Sequence, residues 1–252
     1  MNRINLMKHP HILLLAVSLA ATSSVYAQTV VYTETFPHSG SGNQPVNTVA
    51  WQTYNTSSAT NLSGNSAFAN GFIISSQNGI DGNPGDLSTT FQGIGLTFTD
   101  EFTSINRSVT EIATLSFATN NANTTDTYRF AIRVDVEGTP TWYATNATYS
   151  QITGGASTNF PTNGETKTFT FTTDASAWRE LTFSAGSTLS LSGTTLTDPL
   201  PMGNLTAAGI YNDLNTAALR WDNFQIAVIP EPTTYALVVG ALALLVCLRR
   251  RY

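Results

Sequence analysis

The fold is decided by residues 128–136, which read YRFAIRVDV. Apolar side chains occupy every second position of this stretch, while Arg129, Arg133 and Asp135 fall between them. Because successive side chains of a strand point to opposite faces, the alternation predicts a β-strand with one buried face and one solvent-facing face.

A hairpin follows directly. Residues 137–140 (EGTP) favour a turn, and residues 141–145 (TWYAT) predict the returning strand. Further strand-like runs are separated by connectors rich in Gly, Asn, Ser and Pro, and no segment between them has a helical period. These runs are residues 29–35, 67–75, 94–98, 109–117, 166–172, 180–183, 188–191 and 219–228. The pattern predicts an all-β fold with a single antiparallel β-sandwich of the jelly-roll type.

The N-terminus has the features of a signal peptide. Arg3 and Lys8 precede an apolar stretch at 12–21, and small residues stand at the positions that a signal peptidase reads before Ala27. We expect cleavage between Ala27 and Gln28, so that residues 1–27 are removed. An uncleaved anchor helix is the alternative.

The C-terminus combines Pro230-Glu231-Pro232, an apolar run at 233–248 and the basic end Arg249-Arg250-Arg251. As a helix, the run would reach roughly 24 Å, against a hydrocarbon core of roughly 30 Å. Basic flanks resist translocation, so the arginines predict a cytoplasmic stop with everything upstream exported. The two prolines favour an extended, accessible segment just before the membrane helix.

This order of motif, short apolar helix and basic end resembles the PEP-CTERM sorting signal of bacterial surface and matrix proteins. The resemblance implies that residues 230–252 form the signal, and that an exosortase, a membrane transpeptidase, cuts near Pro230-Glu231-Pro232. An ordinary membrane anchor that carries this tripeptide by chance is the alternative.

The predicted body, residues 28–229, is long enough for one β-domain. It carries six basic and fifteen acidic side chains, a formal charge of −9, which argues against nucleic acid as a partner. The only cysteine, Cys247, lies in the predicted tail, so we expect no disulfide in the body.

The sequence offers little catalytic chemistry. The only histidine of the body, His38, precedes a Gly-rich loop and is expected to be solvated. Glu111, Asp135 and Glu137 could supply the paired carboxylates of a glycosidase. The alternative, which we favour, is that they are surface charges of strands, with Asp135 balancing Arg133 or Arg129.

The order of strand motifs also resembles the jelly-roll domains of many PEP-CTERM proteins and, more loosely, laminin-G-like and carbohydrate-binding sandwiches. In such folds the first and last strands lie side by side, which would bring Glu34 near Asp222 and Asn223. Their oxygens are ligands of the kind that calcium takes, so the resemblance implies a structural calcium as the one cofactor. Alternatively, Asp222 pairs with Arg220 or accepts backbone hydrogen bonds.

Trp142 and Tyr143 are the candidate glycan-binding residues, because aromatic faces stack on the apolar faces of sugars. Neighbouring residues of a strand point to opposite faces, so we expect at least one of the two to be exposed. A place in the core is the alternative for either side chain.

The sequence therefore predicts a non-catalytic protein of the cell surface or extracellular matrix. Signal peptidase and an exosortase would be its processing partners, the membrane would hold it before processing, and exopolysaccharide or another glycan is the candidate ligand. A carbohydrate-binding module is the first alternative. A glycoside hydrolase or lyase is the second.

Overall fold

The computed structural model describes residues 28–34, 44–55, 59, 61, 67–69, 72–74, 94–104, 107–119, 127–150, 165–212 and 220–229. Residues 28–229 form one compact unit. The predicted signal peptide, the sorting segment and His38 lie outside the described residues. No helix in the described part of the chain has the length and apolarity to cross a membrane.

The described residues form fourteen strands. They are β1 Thr29–Glu34, β2 Gln44–Pro45, β3 Trp51–Asn55, β4 Ala67–Ala69, β5 Phe72–Ile74, β6 Ile94–Thr99, β7 Ile112–Thr119, β8 Tyr128–Val136, β9 Thr139–Thr145, β10 Glu165–Thr170, β11 Trp178–Ser184, β12 Thr188–Leu191, β13 Asn204–Asn212 and β14 Arg220–Val228. Short 3-10 turns occupy Val46–Val49, Glu101–Ser104, Val109–Glu111 and Ala175–Ala177.

The strands form two seven-stranded sheets. Sheet A has the order β10-β7-β14-β5-β4-β2, with β1 also paired to β14, and sheet B has the order β12-β11-β9-β8-β13-β6-β3. All of these pairs are antiparallel. The predicted all-β antiparallel sandwich is confirmed at this level.

The hairpin β8–β9 forms as predicted. Its connection is two residues long, because Val136 pairs with Thr139 across the turn. Glu137 (φ 51°) and Gly138 (φ 85°) both adopt the left-handed conformation that a tight two-residue hairpin turn requires. Glycine supplies one of these two positions without steric cost.

The inter-sheet core lies between sheets A and B. The apolar face of β8 enters it, with Phe130, Ile132 and Val134 fully buried. Phe117 of sheet A meets Phe130 of sheet B with ring centroids 5.1 Å apart. The predicted inward face of β8 is thus confirmed, but the predicted solvent-facing face is wrong, because Arg129 and Ala131 on that face are also buried.

Sheet B also buries part of the face that points away from sheet A. The ring centroids of Tyr54, on β3, and Phe183, on β11, are 4.8 Å apart, although five strand spacings separate the two strands. A flat sheet would hold these strands about 24 Å apart, so sheet B curls strongly. Gly186 donates a backbone hydrogen bond of 2.7 Å to the carbonyl of Ala59 and ties the approaching ends together.

The concave face of sheet B consequently encloses a second apolar cluster, here called the concave core. Its buried members are Tyr54, Ala59, Leu96, Phe98, Ala131, Trp142, Ala144, Leu181, Leu189, Ala207 and Tyr211.

Two strand predictions need correction, and further strands were missed. The run predicted at 67–75 contains two short strands, β4 and β5, which pair with each other. The run predicted at 109–117 begins with a 3-10 turn before β7, because Ser108 and Glu111 form a capping box there. Strands β2, β3 and β13 were not predicted.

Candidate functional site

The two ends of the body lie side by side in sheet A. Thr29, near the start of β1, is the register partner of Val228 at the end of β14. The next residue, Ile229, donates its backbone N–H to the carbonyl of Glu111 over 2.8 Å. The predicted sorting motif starts at the following residue and lies outside the described part of the chain.

The pairing of β1 with β14 also bears on the predicted calcium ligands. Glu34 is the register partner of Phe224, so the backbones of Glu34 and Asn223 lie close together. Asn223 has a left-handed φ of 51° where the ladder between β14 and β7 is irregular. The Asp222 side chain lies outside the described residues, so the calcium site stays a prediction.

Trp142 is buried on the concave face of sheet B, with only 5 % of its surface exposed. Its indole meets Phe98 at 4.7 Å and Phe183 at 5.9 Å between ring centroids. The guanidinium of Arg133 lies 5.7 Å from the centre of the Trp142 ring, within the range of a cation–π contact.

Tyr143 points to the opposite face and belongs to the inter-sheet core, with 7 % of its surface exposed. Burial raises the pKa of its phenol above the usual value, a hydrogen bond from Thr141 lowers it, and the nearby Glu180 carboxylate raises it. The phenol is therefore neutral at ordinary pH and can donate a hydrogen bond.

The expectation that Trp142 or Tyr143 is exposed is therefore wrong. Alternation assigned the two side chains to opposite faces correctly. Both faces are covered at this point because sheet A packs on one and sheet B curls over the other. No aromatic side chain is exposed among those whose burial the structure describes.

The candidate carboxylates have separate structural settings. Glu111 accepts the backbone N–H of Ser108 over 3.2 Å, and Arg107 lies 3.7 Å from the same carboxylate oxygen. One oxygen of Asp135, Oδ1, is buried without a hydrogen-bond partner. In the described part of the chain, no group of three His, Cys, Asp or Glu residues is placed to hold a metal ion.

The arginines expected to balance Asp135 make other bonds. Arg133 donates to the hydroxyl of Thr206 over 2.9 Å. Arg129 donates to the carbonyl oxygens of Thr145 and Asn146. Both guanidiniums therefore hold neighbouring strand and loop segments in place.

The sequence patterns did not predict a cavity that the structure contains. Its volume is about 180 Å³, and it opens beside the edge of sheet B under the segment that joins β12 to β13. It is lined by Tyr143, Glu180, Leu196, Thr197, Asp198, Pro199 and Pro201. The turn-forming run TDPLP at 197–201 marks a loop in the sequence, but only the fold brings Tyr143 and Glu180 beneath it.

Comparison of the chain with protein-family models, with curated proteins and with solved structures finds no match. Two features of the chain's own residues bear on its function, namely the pairing of β14 up to Val228 and the cavity beside Tyr143.

Proposed function

We propose that this chain is an exported, non-catalytic β-sandwich protein of the cell surface or extracellular matrix, sorted by an exosortase through Pro230-Glu231-Pro232. The observation that carries the proposal is that β14, the last strand of the body, ends at Val228, and that the next residue, Ile229, donates its backbone N–H to the carbonyl of Glu111. The last strand of the body therefore ends two residues before the motif begins.

The topology supports processing at this place. Strand β14 pairs with β7 on one side and with β1 and β5 on the other, so sheet A depends on it. A cut after Ile229 would leave all of these pairs intact. The pairing of the first strand with the last is also typical of a jelly roll, which is the topology that we propose within the antiparallel sandwich.

The packing supports a structural role for the body. Trp51 and Trp178 are buried in the inter-sheet core and Trp142 in the concave core, and Glu111 caps a 3-10 turn. A carbohydrate-binding module is the second candidate function, because the cavity beside Tyr143 combines a buried phenol with two carboxylates.

The sorting proposal is tested by replacing Pro230, Glu231 and Pro232 with alanine in a host that contains an exosortase. We expect the variant to stay in the membrane fraction with its C-terminal segment uncut, as shown by mass spectrometry. The matched control is Glu137→Ala with Pro140→Ala, since both residues are exposed at the β8–β9 hairpin. Release of the motif variant at the normal rate would contradict the proposal.

A further inference from the structure

The floor and the lid of the cavity beside Tyr143 come from different segments of the chain. Tyr143 on β9 and Glu180 on β11 are direct register partners and form the floor. The segment 192–203 supplies the lid, including Thr197, Asp198 and two prolines. The volume, about 180 Å³, is below the roughly 300 Å³ of the smallest pockets for drug-sized ligands. It suits a single small ring.

The lid is held by backbone hydrogen bonds along its length. Ser192 donates to the carbonyl of Glu180 over 2.9 Å, and Leu196 donates to that of Trp178 over 3.0 Å. Leu200 donates to Thr173 over 2.8 Å, and its side chain is buried in the inter-sheet core. A site fixed in this way loses little conformational freedom when a ligand binds.

The charge of the cavity is one-sided. Of its seven lining residues, Glu180 and Asp198 are acidic and none is basic. Arg179, the neighbour of Glu180 in the strand, extends to the other face of sheet B, where it donates to Asn146 over 2.8 Å. The carboxylates of the cavity therefore favour a cation and repel an anion.

The remaining lining residues offer a ligand a hydrogen-bond donor and an apolar surface. Tyr143 as a residue is more than nine-tenths buried, and its phenol is neutral, so it can donate to a ligand oxygen. The side chains of Leu196, Pro199 and Pro201 provide apolar walls. A matching ligand has hydroxyl groups, an apolar C–H face and a positive charge on one small ring.

We propose that this cavity binds a single amino-sugar unit with a free ammonium group. Glu180 and Asp198 would accept hydrogen bonds from the ammonium and hydroxyl groups, and Tyr143 would donate to a ring or hydroxyl oxygen. Such a site would attach the protein to partly deacetylated amino-sugar polymers. The site lies wholly within the body, so it does not depend on the sorting proposal.

The test is a titration of the purified full-length protein, in a non-ionic detergent without a sugar headgroup, with glucosamine, N-acetylglucosamine and glucose. Binding is followed by ligand-observed NMR. We expect saturable binding of glucosamine, and at least tenfold weaker binding of the two neutral sugars. Glu180→Gln combined with Asp198→Asn should weaken glucosamine binding roughly tenfold, which corresponds to about 1.4 kcal/mol.

Two variants separate binding from folding. Tyr143→Phe keeps the ring and should weaken glucosamine binding several-fold with little change in melting temperature. Glu137→Gln, which removes a carboxylate at the distant hairpin turn, should leave binding unchanged. No saturable binding of glucosamine, equal binding of the three sugars, or full binding by the double variant would each overturn the inference.

Discussion

The inter-sheet core and the concave core are both buried, but they reach burial by different routes. In the inter-sheet core, large side chains from two sheets meet, as Phe117 meets Phe130. The concave core is built mainly on one sheet, where Ala144, Ala131 and Gly209 stand in register on three neighbouring strands. Alternation decides which face a side chain takes, whereas the curl of the sheet decides whether that face is exposed.

The small residues explain how the concave core is filled. Phe98, on β6, follows Gly209 in the same cross-strand row. Its ring meets that of Trp142 at 4.7 Å, although their strands are three spacings, or about 14 Å, apart. Large side chains at Ala131 and Gly209 would occupy the space between the two rings.

The largest expected effect compares one tryptophan from each core. Trp178 is fully buried between the sheets, and Trp142 is 5 % exposed in the concave core. We expect Trp142→Ala and Trp178→Ala each to lower the free energy of unfolding by about 3–5 kcal/mol, because each leaves a large cavity. Urea denaturation followed by circular dichroism measures both.

The control for this comparison is Met202→Ala, since Met202 is 64 % exposed. It should change the stability by less than about 0.5 kcal/mol. If Trp142→Ala resembled Met202→Ala rather than Trp178→Ala, Trp142 would be a surface residue and the concave core would not exist as described.

A somewhat smaller effect is expected from Gly209→Ala. A Cβ atom at Gly209 would overlap the carbonyl oxygen of Thr97 and lie 2.6 Å from Cα of Phe98. Strands β13 and β6 would have to separate, so we expect a loss of about 3 kcal/mol. Gly193→Ala is the matched control, since a Cβ there meets nothing within 4 Å. Equal stabilities of the two variants would show that β13 and β6 do not approach as closely as described.

The sequence predicts the hairpin β8–β9 well because its signals are local. Alternation sets the faces of β8, and Gly138 suits one of the two left-handed positions of the turn. The same applies to β12, whose bounds were predicted correctly. The predicted run at 67–75 contains an Asn70-Gly71 pair, a hairpin signal that favours the two strands that form.

Strand β13 could not be predicted in this way. Its centre, Ala207-Ala208-Gly209, has no alternation of apolar and polar residues, because the side chains on both of its faces must be small or buried. The cavity beside Tyr143 could not be predicted from the sequence either. One half comes from Tyr143 and Glu180 and the other from the segment 196–201, and only the packing of the lid brings them together.

The smallest effect concerns the polar rim of the concave core. Thr206 accepts a hydrogen bond from Arg133 Nε over 2.9 Å and donates to the Arg133 carbonyl over 3.2 Å. This places the guanidinium over Trp142. Thr206→Val removes both hydrogen bonds, so we expect a loss of about 1 kcal/mol in the free energy of unfolding. Thr182→Val, at an exposed position of β11, is the control and should change stability by less than about 0.5 kcal/mol.

The cost of Thr206→Val should also depend on Trp142. If Thr206 stabilises the protein by holding Arg133 against the indole, part of its contribution disappears when the indole is absent. In the Trp142→Ala background we therefore expect Thr206→Val to cost measurably less than in the native background, which a double-mutant cycle measures by urea denaturation. Strictly additive losses would mean that Thr206 acts on strand pairing alone. The rim and the ring would then be independent, and the concave core would be stabilised only by its apolar contacts.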